Sequence, residues 1–262
     1  MSSGWLKQRK FTKDYTTVNK DLNMLETIYT IPVNEAFDEC AADHSIGCPF
    51  CHLYKKLESN ELDLILGASM MEPDIRMKTN EMGFCTEHYA KMFARNNRLQ
   101  LGLMLESHLD VVREELDSGK LLNLIRGKGA VASDKLQKLE NSCYVCDRIE
   151  NNFQKMIENA VYLWNVDSDK KEKPFEDKIK AQSHFCLPHY RKFIECARIC
   201  LEKKQFGDFY SIITDIEKAY FDSLRNDVSW FCKKFDYRYE NEPWGNSKDS
   251  VERAIALLNG KY

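Results

Sequence analysis

Read for its apolar spacing alone, the chain is helical almost throughout. From Leu101, apolar side chains fall at 101, 104/105, 109, 112 and 116, which is one face of a helix. A longer series starts at Phe206 and runs through 209/210, 213, 216, 220, 224, 228 and 231. After Cys51, the residues Leu53, Leu57, Leu62, Ile65 and Leu66 keep a similar stripe. Alternating strand patterns are scarce, and 11 glycines and 6 prolines leave long helices largely uninterrupted. The polar stretches 71–83, 118–134 and 165–184 are the expected loops, and a last short helix is expected over 249–258. The pattern predicts an all-α fold, a helical bundle.

Superimposed on this helical text is a recurrence. The phrase GFCTEHY at 83–89 returns as HFCLPHY at 184–190, and each follows a Cys-x-x-Cys: CPFC at 48–51 and CYVC at 143–146. The order is the same both times. The gap from Cys51 to Cys85 is shorter than that from Cys146 to Cys186, and the charged insertion DSDKKEKPFEDK at 167–178 accounts for the difference. Such a fixed-order repetition is the mark of an internal duplication. It divides the chain into an N-terminal segment 1–34, a first repeat 35–130, a second repeat 131–226 and a docking tail 227–262, with the repeats forming one integrated domain.

The recurring residue types are those that hold metal. In a helical turn, residues three apart face one way. Cys48 with Cys51, Cys85 with His88, Cys143 with Cys146, and Cys186 with His189 can therefore each grip one ion. A second cysteine at a helix start has backbone N–H groups and the positive dipole end nearby, both of which favour thiolate. Pro49 suits a first turn, where its missing N–H costs nothing. Three cysteines and one histidine make a closed tetrahedral set, so two zinc ions are expected, with an iron–sulfur cluster as the alternative.

Each copy of the repeat is expected to hold one ion, since the loop 71–83, if extended, spans about 43 Å and could return Cys85 to Cys51; exchange of pairs between the repeats is the alternative. CPFCH also matches a haem-attachment pattern, but its twin reads CYVCD, with Asp147 in place of histidine, and His52 is better placed on a helix surface. Cys40, Cys196, Cys200 and Cys232 are expected to pack as small apolar residues, and His44 and His108 to lie at the surface or in hydrogen-bonded core positions.

Composition narrows the function. Thirty-eight Lys+Arg against 41 Asp+Glu give a formal charge of −3, with no basic excess to draw nucleic acid or anionic lipid. No apolar run approaches the roughly 18 residues that span a bilayer, and the N-terminal MSSGWLKQRKFTKDYTT lacks the apolar core of a secretory signal. Ten cysteines without such a signal suit a reducing, cytoplasmic setting. Two further stretches carry clustered charge or aromatics. The segment MEPDIRMKTNE, with Glu72, Asp74, Arg76, Lys78 and Glu81, reads as a solvated loop or, with Arg95 and Arg98, a polar-ligand site. The stretch 227–254 reads as a tail anchored by Trp230, Phe235 and Trp244, or as a partner surface displaying Asp236, Arg238 and Arg253.

The phrases GCPFC, MEPDIRMKTNEMGFCTEHY, FCLPHY and WFCKKFDYR…EPWGNSKDSVERA together resemble an uncharacterised bacterial family, a domain of unknown function found in cytoplasmic proteins of this length. The resemblance runs from about Ile31 to the C-terminus. It implies that Cys48, Cys51, Cys85, His88, Cys143, Cys146, Cys186 and His189 are that family's ligand-like positions, and it brings no established activity. The function expected from the residues is a soluble metal-binding protein whose two zinc ions staple the fold and whose surface binds a protein partner or small molecule, not nucleic acid or membrane. The alternatives are an iron–sulfur redox protein, a metalloenzyme using one of the sites, or a metal-delivery or sensing protein.

Overall fold

The computed structural model describes residues 28–117, 130–168 and 171–260. Among them the regular structure is helical, without a strand: α1 (Thr30–Ala42), α2 (Pro49–Ile65), α3 (Pro73–Met82), α4 (Thr86–Ala94), α5 (Arg98–Asp117), α6 (Ala130–Glu140), α7 (Tyr144–Ser168), α8 (Pro174–Lys180), α9 (Leu187–Cys200), α10 (Lys203–Lys233) and α11 (Ser250–Asn259). Short 3-10 turns occupy Ala68–Met71, Tyr237–Tyr239 and Gly245–Ser247. No helix among the described residues is long and apolar enough to cross a membrane.

Most of the apolar stripes bury as their spacing predicts. Leu53, Leu62 and Ile65 are buried from α2, with Leu66 just past its end, and Phe209, Ile213 and Leu224 from α10. The stripe on α5 holds only in its first half. Leu101 and Met104 are buried, but Leu109 and Leu116 are 62% and 55% exposed.

Two of the expected loops are structured. Residues 71–83 contain α3, whose Pro73 occupies the first turn and whose Thr79 is buried. Residues 165–184 contain the end of α7 and all of α8, which buries Phe175 and Ile179. Asp167 Oδ2 accepts the Phe175 amide at 3.1 Å, fixing the start of α8. Of the expected loop 118–134, residues 118–129 lie outside the described residues, and 130–134 begin α6. Residues 1–27 of the N-terminal segment also lie outside them.

The chain divides into two compact units that do not follow the order of the sequence. One comprises, of the described residues, 56–117 and 130–152; the other comprises 28–55, 153–168 and 171–260. Each unit takes residues from both of the repeats expected from the sequence, and α2 and α7 contribute to both.

The core of the larger unit is a cluster of phenylalanine rings with Phe50 at its hub. Phe50 meets Phe37, Phe185 and Phe193 with ring centroids 5.6, 5.8 and 4.8 Å away, and Phe193 passes the contact on to Phe209 at 4.9 Å. Five of these rings are fully buried. Aromatic pairs in tilted and edge-on geometry add roughly 0.5–1.5 kcal/mol each beyond the area they bury.

The C-terminal segment is held by one cation. The Lys234 ammonium, at the end of α10, donates to the carbonyls of Tyr239, Glu240 and Glu242 at 2.6, 2.8 and 2.7 Å. Trp230 Nε1 donates to the Pro243 carbonyl at 3.0 Å, and Trp244 packs on Phe231 at 5.9 Å. Trp230 and Trp244 are anchors, as expected. Phe235 is not: it is 76% exposed. Lys234→Met removes all three donors at once and is expected to lower the unfolding free energy by about 1–3 kcal/mol. Urea denaturation measures this, and an unchanged midpoint would show that the segment holds itself in place.

Candidate metal centres

Each of the four ligand pairs sits at a helix start. Cys48, Cys85, Cys143 and Cys186 immediately precede α2, α4, α7 and α9, and their partners Cys51, His88, Cys146 and His189 stand three residues on, in the first turn. The leading cysteine of each pair accepts the first helical hydrogen bond on its carbonyl. The donors are the amides of His52 (3.1 Å), Tyr89 (2.9 Å), Asp147 (3.0 Å) and Tyr190 (2.8 Å). Backbone that enters a helix this way points both side chains of a pair past the helix end, where amides lack intrahelical partners.

The starts meet two by two, across the expected repeats and not within each copy. Cys48, Cys51, Cys186 and His189 form one tetrad, within the larger unit; Cys85, His88, Cys143 and Cys146 form the other, within the smaller unit. In each, the four donor atoms lie within 4.8 Å of one another. The return of Cys85 to Cys51 does not occur, because residues 73–82 coil into α3 and so cover about 15 Å rather than the reach of an extended strand.

In the outer tetrad, named for the pairs farther apart in sequence, His189 Nδ1 lies 3.7, 3.4 and 3.2 Å from the sulfurs of Cys48, Cys51 and Cys186, and Cys51 and Cys186 are 3.5 Å apart. In the inner tetrad, His88 Nδ1 lies 3.2, 3.3 and 3.3 Å from Cys85, Cys143 and Cys146, and Cys85 and Cys146 are 3.8 Å apart. Bonds of about 2.3 Å to sulfur and 2.0–2.1 Å to nitrogen place donors around one tetrahedral ion roughly 3.5–3.8 Å apart. The side chains therefore fit a single ion in each tetrad with little adjustment.

The surroundings of the two histidines differ. His189 is enclosed by the rings of Phe153 and Phe50, centroids 5.0 and 6.0 Å away, and all four outer ligands are buried. His88 Nε2 instead meets Glu58 Oε1 at 3.2 Å, and Lys91 holds that carboxylate at 2.7 and 2.8 Å. With Nε2 turned to Glu58 and Nδ1 to the three sulfurs, an ion entering the tetrad would displace the Nδ1 proton and leave Nε2–H on the carboxylate, the arrangement in which a carboxylate orients a metal-binding imidazole. The hydrogen bond from His88 is the main reason that Glu58 titrates below the usual carboxylate range. Cys85 and Cys146 of this inner tetrad are half-buried, and His88 and Cys143 are buried.

Thiols at this spacing share protons unequally. Hydrogen bonding from Cys146 lowers Cys143 to about 4, and Cys146 is pushed well above its usual value in return. Burial opposes charge on His88, yet its contacts with Cys143 and Glu58 raise it to about 10. In the outer tetrad, burial raises Cys48 while hydrogen bonding from Cys186 and Cys48 lowers Cys51. A cation entering either tetrad displaces the remaining protons.

Local backbone contacts hold the inner pairs together. Tyr144 donates its amide to the Gly83 carbonyl at 3.0 Å, and Ser142 Oγ donates to the Met82 carbonyl at 2.6 Å. Gly83 turns the chain from α3 to Cys85 with φ of 59°, and a Cβ there would come within 2.8 Å of His108 Nε2. His108 is fixed by its Nδ1 contact with the Asn80 carbonyl at 2.7 Å, the hydrogen-bonded position expected of it.

The remaining candidates are accounted for within the fold. His52 pairs with Glu39 at 2.5 Å on a half-buried surface, and His44 lies exposed with Nε2 3.2 Å from the Ala181 carbonyl. Cys40 and Cys196 are buried, Cys200 is half-buried with its sulfur 3.9 Å from that of Cys196, and Cys232 is exposed, contrary to the packing role expected of it. Arg76 donates to the Leu103 carbonyl and Ser107 Oγ, both at 2.8 Å, Arg95 pairs with Asp63, and Arg98 stacks on Phe93 at 3.4 Å. Nothing in the local spacing of Glu58 ties it to a histidine 30 residues away, so the sequence pattern does not single it out.

The cross-repeat pairing makes a stoichiometric prediction. Cys48→Ser with Cys186→Ser damages one tetrad and is expected to remove one metal equivalent per chain. Cys48→Ser with Cys85→Ser damages both and is expected to remove two. Elemental analysis of the two double variants checks this; the opposite pattern would restore pairing within repeats.

No curated protein and no solved structure matches the sequence. A family model does match, over residues 24–262, and its span agrees with the resemblance read from the motifs. The chain belongs to that family of unknown function, DUF6062.

Proposed function

We propose that each tetrad holds one zinc ion as a closed structural centre, and that the protein is a zinc-stapled helical scaffold whose free surface binds a protein partner or a small ligand in the cytoplasm. The observation that carries this reading is the pair of tetrads, each presenting three sulfurs and one imidazole nitrogen within 4.8 Å of one another. Four protein donors fill a tetrahedral ion and leave no position for substrate, which is the pattern of structural rather than catalytic zinc. An iron–sulfur cluster divides its ligands among several irons, so donors this close together support a single ion.

A second reading draws on the inner tetrad alone. Its half-buried Cys85 and Cys146 give a chelator or acceptor a route to the ion that the buried outer set lacks, which favours metal sensing or delivery at that site.

Anaerobically purified, untagged protein is expected to be colourless with about two zinc per chain. A brown sample containing iron and sulfide would overturn the assignment. Stripping the metal, or Cys85→Ser, is expected to lower the melting temperature, since a structural ion contributes its binding free energy to folding. Under mild chelation the inner ion should leave first; resistance of both ions would leave the staple reading alone standing.

Glu58→Gln keeps the shape but removes the charge that orients His88. It is expected to weaken zinc at the inner tetrad by roughly 10–100-fold while leaving the outer one intact. Competition with a chromophoric chelator measures both in one titration.

A further inference from the structure

A groove of about 460 Å³ lies between α9 and α10, lined by Leu187, Tyr190, Thr214, Glu217, Lys218, Phe221 and Asp222. Its size is that of a small-molecule site. Leu187 and Tyr190 alternate along α9 with the ligand positions Cys186 and His189, so the groove adjoins the outer tetrad.

Glu217 is the unusual residue in its lining. It is 4% exposed, and its Oε1 accepts the amide of Phe185, the residue before Cys186. Its Oε2 is buried and has no hydrogen-bond partner. A buried carboxylate oxygen without a donor is costly to fold and rare, because the desolvation it suffers is not offset. Burial holds the Glu217 carboxyl up, at about 7. A ligand that carries a hydrogen-bond donor into the cleft would meet that unpartnered oxygen.

The other walls say what sort of ligand. The rings of Tyr190 and Phe221 with Leu187 offer apolar surface, and the Tyr190 hydroxyl is already engaged with Thr214 Oγ1 at 3.0 Å. The charged lining is two acids, Glu217 and Asp222, against one base, Lys218, so an ionised Glu217 leaves the groove one charge negative. Aromatic faces and a net negative charge both attract an ammonium group.

We propose that this groove binds a small organic amine, its ammonium donating to Glu217 and its apolar body lying against Phe221, Tyr190 and Leu187. The proposal names the ligand class for the small-molecule binding put forward above and rests on that reading. Because Glu217 also fixes the turn that leads into Cys186, an occupied groove and the outer metal centre share one residue.

The test uses full-length, metal-loaded protein and benzylamine, with benzyl alcohol and benzoate as neutral and anionic controls of similar shape. Saturation-transfer NMR and calorimetry should show saturable benzylamine binding on the order of 1 mM, as expected for a fragment of this size, and at least tenfold weaker binding of either control. Glu217→Gln should weaken benzylamine at least tenfold, and Phe221→Ala, at the groove wall, should weaken it too. Equal binding of all three probes, no saturable binding, or an unaffected Glu217→Gln would each overturn the proposal. Zinc is measured on the same samples. Retention of two ions by Glu217→Gln alongside lost amine binding supports the ligand role, whereas loss of the outer ion would show that Glu217 only braces Cys186 and would overturn it. Amine binding by wild-type protein that proves to lack zinc would sink the metal assignment and leave the groove standing.

Discussion

Two helix N-termini meeting at one point is the constraint on which each half of this structure depends. A helix start presents unpaired amides and the positive end of a dipole, so two of them brought together repel unless something negative lies between. Thiolate sulfur at the residue before the helix and a donor three positions later supply that negative charge from the same turns. Three such sulfurs, though, are themselves mutually repulsive when ionised. The unequal proton affinities of Cys143 and Cys146, and of Cys51 and Cys48, express that conflict. A divalent cation at the centre would relieve the repulsion among the sulfurs and, with three thiolates around it, still leave net negative charge between the helix starts, so a closed tetrad and two convergent helices suit one another.

The two tetrads solve the second half of the problem, the fixing of the imidazole, by different means. Around His189 the solution is packing: Phe50 comes from within Cys-x-x-Cys itself, and Phe153 is its neighbour in the core. Around His88 it is charge, through Glu58 and Lys91. The position that is Phe50 in the first Cys-x-x-Cys is Val145 in the second, so the aromatic hub has no counterpart there. A buried carboxylate at Glu58 is tolerable only because an imidazole and an ammonium both meet it. Local geometry thus recurs between the two centres while the supporting chemistry does not, and half-buried sulfurs accompany the polar solution.

Much of this was legible in the chain because the relevant information is local. The spacing of three within each pair, the proline at Pro49 and the apolar stripes of α2 and α10 are short-range features with one physical reading each. The helix α3 reads as a loop because of its charged face, although Pro73 in its first turn and Gly83 just past its end are the standard punctuation of a short helix. The exposed Leu109 and Leu116 show the reverse error, where periodicity promised a partner that the described residues do not supply. Glu58, Glu217 and the choice of partner pairs depend on contacts between distant segments, and no single-sequence pattern encodes those.

Nesting is the property of the pairing that most affects how the chain can fold. The inner tetrad joins residues 85–88 to 143–146, and this span lies wholly inside the one that the outer tetrad closes, from 51 to 186. Closing a loop costs entropy that grows with the logarithm of its length. The outer loop has about 134 residues between Cys51 and Cys186, but with the inner ligands already joined only about 72 of them remain free to wander, which lowers the closure cost by roughly half a kcal/mol. The local hydrogen bonds of Tyr144 to Gly83 and Ser142 to Met82 hold the inner pairs near one another without an ion. Pairing within repeats would instead give two independent short loops, each cheaper to close but neither drawing on the other half of the chain. The exchanged arrangement couples the two tetrads, because joining the ligand pairs of either one shortens the free chain that the other has to close.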